Sequence, residues 1–131
     1  MAAERSTREK FLPASDQMKA WSSALSTEFH DWPQVAQKSF FGFTALYRGK
    51  TMFGLLPRTR SVFRPNVIAF RFESMKRTVK ALLDKDPRVS AFDKHNNRWF
   101  TFEISSDSDL HDALDYLGHA FDAARTPKKT K

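Results

Sequence analysis

The stretch from Phe40 to Leu56, Phe-Phe-Gly-Phe-Thr-Ala-Leu-Tyr-Arg-Gly-Lys-Thr-Met-Phe-Gly-Leu-Leu, constrains the fold more than any other part of the chain. Two apolar runs rich in aromatic residues flank Arg48-Gly49-Lys50, the pattern of a β-hairpin. With Gly49 and Lys50 as turn residues, Gly49 takes the positive φ that a type II′ turn requires at its first position. This register predicts Tyr47 opposite Met52, Ala45 opposite Gly54 and Phe43 opposite Leu56 on one face. Leu46–Phe53 and Thr44–Leu55 then share the other. The small pair Ala45–Gly54 leaves room for another element to press on the sheet.

The flanking segments supply that element. Met18, Trp21, Leu25 and Phe29 recur at spacings of 3, 4 and 4, an amphipathic helix over 16–30 that Ser15 or Asp16 caps and Pro33 ends. Residues 35–39 lead into the hairpin as the first part of a strand. After Leu56 comes a loop, 57–66, bracketed by prolines and carrying Arg58, Arg60, Phe63 and Arg64. Residues 67–72 alternate as a strand with Ile68, Phe70 and Phe72 on one face. A helix over 74–86 follows, capped by Ser74, with Met75, Val79, Leu82 and Leu83 inward and Lys76, Arg77 and Lys80 outward. Residues 89–92 form a short extended piece and 98–104 a further strand. Ser106 and Asp109 stand at capping-box spacing before a last helix over 107–124. Strands in succession with helices gathered on one face describe an α+β domain, its antiparallel sheet of four to five strands. It spans residues 15–125, between a flexible N-terminal tail (1–14) and a basic tail (126–131). Trp21, Phe29, Tyr47, Phe70, Leu82, Trp99, Leu114 and Leu117 are expected in the core.

At 131 residues the chain suits one domain, and at 40% hydrophobic it is too apolar for a disordered one. No run of 18 apolar residues exists to span a membrane, and the first ten residues lack the apolar core of a signal peptide. Without cysteine there is no disulfide, thiolate metal site or cysteine nucleophile. A cytoplasmic protein is expected. The net charge of +7 is segregated: residues 38–88 hold twelve Lys and Arg against three acids, whereas 107–125 hold five Asp against Arg125. Such a field draws a polyanion to one side of the molecule.

The candidate nucleic-acid contacts are therefore Arg58, Arg60, Phe63, Arg64, Lys76, Arg77 and Lys80, arginines for phosphates and an aromatic ring for a base. The competing account makes Phe63 a core plug and the cations solubilising. His111, Asp115 and His119, at i, i+4 and i+8, offer half of a metal site, or a solvated polar stripe opposite Leu110, Leu114 and Leu117. No nucleophile elbow and no glycine-rich phosphate loop is present. The chain thus reads as a non-enzyme without catalytic residues, cofactor, metal or small-molecule substrate, its partner DNA or RNA. The alternative is a protein-interaction or homodimerisation module that uses the apolar second face of the 43–56 hairpin, with Leu46, Phe53 and Leu55 left open.

The hairpin at 40–56 resembles that of small bacterial TfoX N-terminal-like and MmcQ/YjbR-like proteins, in which an aromatic-Gly run precedes a "glycine, variable, Met-Phe-small-Leu" strand. The later strand, a Leu-Leu helix, Asp-Pro-Arg-Val at 86–89, a Trp-bearing strand and an acid-started last helix match in order, over roughly residues 32–124. The segment 57–66 is longer than is usual there, and the N-terminal tail is extra. The resemblance implies a fold likened to the CyaY-like group and to double-wing DNA-binding modules, with no catalytic residues. The CyaY likeness also implies iron binding through acidic helices, but the aspartates of the last helix are better explained by capping and solvation.

Overall fold

Six strands, not four or five, form the sheet, because two segments of weak apolar pattern turn out to be its edges. The computed structural model describes residues 13–61, 66–93 and 96–124; the two tails fall largely outside these, as do Phe63 and Arg64. In chain order the elements are α1 (Asp16–Phe29), β1 (Val35–Phe40), β2 (Phe43–Arg48), β3 (Thr51–Pro57), β4 (Val67–Arg71), α2 (Arg77–Lys85), β5 (Val89–Asp93), β6 (Asn96–Glu103) and α3 (Asp109–Ala123). The strand order is β1-β2-β3-β4-β6-β5, every neighbouring pair antiparallel. An edge strand pairs on one side only, so β1 needs little apolar surface and carries Lys38 toward solvent.

The hairpin turn lies at Gly49-Lys50, with Gly49 at φ +62°. Tyr47 does oppose Met52, but a β-bulge then intervenes, and Leu46 pairs with Gly54, Ala45 with Leu55 and Phe43 with Pro57. Phe53 is the extra residue. The expected pairs Ala45–Gly54 and Phe43–Leu56 are thus displaced by one, which carries Leu55 to the face opposite Phe53. Leu46 and Phe53 are fully buried under the helices, so the open patch expected of Leu46, Phe53 and Leu55 does not exist; of the three only Leu55 lies on the other side. Gly54 does receive an element: a Cβ there would lie 2.8 Å from Leu117 Cδ2 of α3.

One cluster unites the helices with one sheet face. Met18, Trp21, Leu25 and Phe29 of α1, Val79 and Leu83 of α2, and Ala113, Leu117 and Phe121 of α3 meet Leu46, Phe53, Ile68, Phe70 and Phe102. Ser15 caps α1, its Oγ accepting from Met18 N–H at 3.0 Å. Trp21 Nε1 donates to Asp107 Oδ1 at 2.7 Å and ties α1 to the entry of α3. At that entry the Asp109 carboxylate accepts from the N–H of Ser105 (2.7 Å) and of Ser106 (3.3 Å), the backward half of the expected capping box. Ser74 does not cap α2, which begins at Arg77 after Lys76 with no side-chain cap. Only Val79 and Leu83, one turn apart, reach the core from this short helix, so Leu82 is 49% exposed rather than buried. Tyr47, Trp99 and Leu114 are half-buried. Among the described residues no helix covers the second face. There Phe43 and Val67 form a small cluster of their own with Leu55 against it.

Candidate functional site

β1 joins β2 through two residues, Phe41 and Gly42, both with positive φ (+50° and +89°). A tight hairpin loop with two such residues matches the right-handed twist of the strands, and Asn-Gly or Asp-Gly is its usual sequence. Phenylalanine at positive φ is an outlier. The chain leaving β3 closes on this turn. The Gly42 carbonyl accepts from the backbone N–H of Arg58 (3.1 Å), Thr59 (2.8 Å) and Arg60 (3.3 Å). A Cβ on Gly42 would lie 2.8 Å from Arg60 Cγ, so the stem of Arg60 passes directly over the glycine. Ala14 N–H donates to the Thr59 carbonyl at 3.1 Å and Ser61 Oγ to the Pro13 carbonyl at 3.3 Å, which pins the arginine segment from its other side.

This tip therefore places Phe41, 77% exposed, beside Arg58 and Arg60. The ring rests edge-on against Phe40, with centroids 4.8 Å apart. Arg58 Nη2 donates to Ser39 Oγ at 3.3 Å. A flat apolar ring and guanidinium groups on a clamped turn offer a stacking surface and phosphate donors together. Charge counting finds the arginines. It misses Phe41, whose only sequence signal is the Phe-Gly step between two apolar runs.

The other expected contacts are elsewhere. Phe63 and Arg64 lie outside the described residues. Lys76, Arg77 and Lys80 follow β4, which carries the chain from the tip to the far end of the sheet before α2 begins. Lys80 there pairs with Asp84 at 3.3 Å. Of the five that are described, Arg58 and Arg60 come together, and the α2 cations stand apart from them. The open sheet face supplies a different feature, a shallow groove of about 450 Å³ lined by Phe40, Met52, Leu55 and Trp99 together with the charged Lys50, Arg71 and Glu73.

A connected polar group joins the turn between α2 and β5 to α3. The Arg88 guanidinium donates to Asp86 (2.9 and 2.8 Å), Asp109 (2.9 Å) and Asp112 (3.0 Å), and lies 4.7 Å from the centroid of the Phe102 ring. Tyr116 Oη donates to Asp86 at 2.8 Å. The hydrogen bonds from Arg88 hold the Asp86 carboxyl down at about 2 against an ordinary 3.8. The backbone N–H of Ser105, followed by Arg88, lowers Asp109. Burial and the bond to Asp86 push the Tyr116 hydroxyl well above its ordinary value. Each ionised group here has its counter-charge, which makes the group a clamp between elements. Of the histidine stripe, His111 and Asp115 approach to 3.6 Å and gather with Asp112, which is already held by Arg88. His119 lies apart, lining a hollow with Phe72, Lys76 and Asp122. None of the described helices is long and apolar enough to cross a membrane. Compared with known protein families, with curated proteins and with solved structures, the chain matches none.

Proposed function

We propose that this chain is a non-enzymatic, cytoplasmic module that holds a nucleic-acid strand at the tip, a base stacking on Phe41 and phosphates meeting Arg58 and Arg60. One observation carries this reading: Phe41 is held 77% exposed on a backbone conformation unfavourable to it, in a turn clamped by the arginine segment. Strained, exposed residues cluster at binding sites, where the surrounding structure holds them in place. The chain's net charge of +7 supplies the long-range attraction. The resemblance of the 40–56 hairpin to TfoX N-terminal-like and YjbR-like proteins accords with this reading through the likeness it implies to double-wing DNA-binding modules.

Fluorescence anisotropy with a labelled single strand and a labelled duplex, between about 50 and 200 mM salt, tests it. Binding should favour the single strand and be indifferent to sequence. Arg58→Ala with Arg60→Ala should flatten the log–log salt slope by about 1.4, as two single-strand phosphate contacts require. Phe41→Asn should weaken the single strand about tenfold, in line with one lost stacking contact. The same change should raise stability by about 1 kcal/mol through relief of the turn. Replacing Lys76, Arg77 and Lys80 should leave the slope alone. No binding at the lower salt, or tip variants that bind like wild type, would refute the proposal.

The apolar groove of Phe40, Met52, Leu55 and Trp99 favours a second reading, a protein partner or a second copy of the chain seated on the open sheet face. Sedimentation of wild type and Leu55→Glu at several concentrations separates the two, because a tip variant leaves such an assembly untouched.

A further inference from the structure

Beside the apolar stripe of α1 runs a polar one. Lys19, Ser22, Ser23 and Ser26 stand at i, i+3, i+4 and i+7 and so share a helix face. With Thr44 of β2 and Pro57-Arg58 at the end of β3 they line a cleft of about 330 Å³. The lining contains two cations, four hydroxyls and no carboxylate. Ser26 is committed to the fold, its Oγ donating to Gln37 Oε1 while Gln37 Nε2 donates back to the Ser26 carbonyl at 3.0 Å. Ser22 is not. It is 7% exposed and lies among the core residues of α1, yet its Oγ has no hydrogen-bond partner. A buried hydroxyl without a partner is destabilising, and alanine at this position would avoid it. Neither Lys19 nor Arg58 has an ion pair among the described residues, and Arg58 uses one Nη for Ser39.

We infer that this cleft is a phosphate-binding site. Its chemistry is donor-rich and positive: an ammonium, a guanidinium and the hydroxyls of Ser22, Ser23 and Thr44 can meet the oxygens of a phosphate dianion. A cation would find no carboxylate to hold it. The size suits a phosphate group together with part of the molecule that carries it. The phosphate comes either from a free phosphorylated small molecule or from the 5′ end of a strand. The inference stands on Ser22 and the cleft lining, independently of Phe41.

The test is a titration of the full chain with inorganic phosphate, followed by backbone amide NMR and by thermal melting. Phosphate should shift the amides of Ser22, Ser23 and Thr44 and raise the melting temperature, whereas chloride at equal ionic strength should not. Lys19→Met with Arg58→Met should weaken phosphate about tenfold or more, the loss expected for charge-assisted bonds. Ser22→Ala should weaken it severalfold while leaving stability unchanged or higher, which shows that the serine serves the ligand and not the fold. Phe41→Asn should leave phosphate binding intact, so failure here is distinguishable from failure of the stacking reading. A nucleoside 5′-monophosphate bound more tightly than phosphate assigns the site to a small molecule. A 5′-phosphorylated oligonucleotide bound more tightly than its 5′-hydroxyl counterpart assigns it to a strand end. Phosphate that acts no differently from chloride, or that binds the double variant like wild type, overturns the inference.

Discussion

Replacing Arg88 by Met keeps the side-chain stem and removes the charge on which three carboxylates converge. Asp86 and Asp109 are 9% and 15% exposed at the side chain, so neither recovers full hydration when its partner goes. The lowering of Asp86 to about 2 from 3.8 accounts for part of the effect. At 1.36 kcal/mol per pKa unit it corresponds to about 2 kcal/mol of stabilisation. Repulsion among Asp86, Asp109 and Asp112 and the lost contact with Phe102 add to this. The half-open position of Arg88 keeps the sum below that of a fully buried pair, so about 2–4 kcal/mol is expected at neutral pH.

The sign with pH follows from the same group. A carboxyl whose folded pKa is depressed contributes stability above its unfolded value near 3.8, and that contribution disappears as pH falls through about 2. In Arg88→Met the buried carboxyls lose their counter-charge and their pKa values rise, so acid relieves the variant while it weakens wild type. Urea melts at neutral pH and at about pH 3 should therefore show the difference shrink, with roughly half of the Asp86 contribution still present at pH 3 beside the lost ring contact. A difference that stays constant across this range would mean that Arg88 acts through packing alone, and one below about 1 kcal/mol at neutral pH would refute the clamp.

Gly54→Ala should cost about 1–3 kcal/mol, because the new methyl lies 2.8 Å from Leu117 Cδ2 and 3.1 Å from Leu46 Cδ1. In a Leu117→Ala background the extra loss should nearly vanish, a coupling that chemical denaturation of the four variants measures directly. Phe53→Glu should abolish folding, since its fully buried ring contacts Phe29 and Phe121. Leu55→Glu, on the second face, should cost only about 1–2 kcal/mol; circular dichroism that found the two equally disruptive would contradict the bulged register.

Apolar periodicity places the elements that bury a regular stripe, because burial decides them. The α1 stripe, the strand at 67–71 and the Gly49-Lys50 turn all follow from spacing and from one glycine. The bulge was written less plainly. Gly54 inside a strand pattern is a bulge signal, yet only the packing of Leu117 decides that Phe53 and Gly54 both turn toward the helices. The edge strands β1 and β5 carry little sequence signal because a strand paired on one side needs no apolar alternation to stay in a sheet. The Arg88 clamp was half visible: Asp86 lies two residues away, but Asp109, Asp112 and Tyr116 arrive from a helix whose docking no local pattern encodes.

The candidate site divides the same way. A basic run in sequence carries no direction, and β4 sends the chain from Arg58 and Arg60 to the opposite end of the sheet before the α2 cations begin. The residue that the structure adds to the arginines is the one that breaks a local rule. A turn with two positive φ angles is satisfied by Asn-Gly; this chain has Phe41-Gly42, with the ring in solvent and the backbone at +50°. Ser22 breaks a second rule, a hydroxyl without a partner in an apolar helix–sheet seam. Both departures oppose folding, and they lie at the same end of the molecule, connected through Arg58: its backbone bonds the Phe41-Gly42 turn and its side chain lines the cleft beside Ser22. Sequences that specify one structure are locally consistent except where function requires otherwise. The two inconsistencies converge on one arginine, and Phe41→Asn and Ser22→Ala, each expected to keep or raise stability while weakening a ligand, test whether function is what they serve.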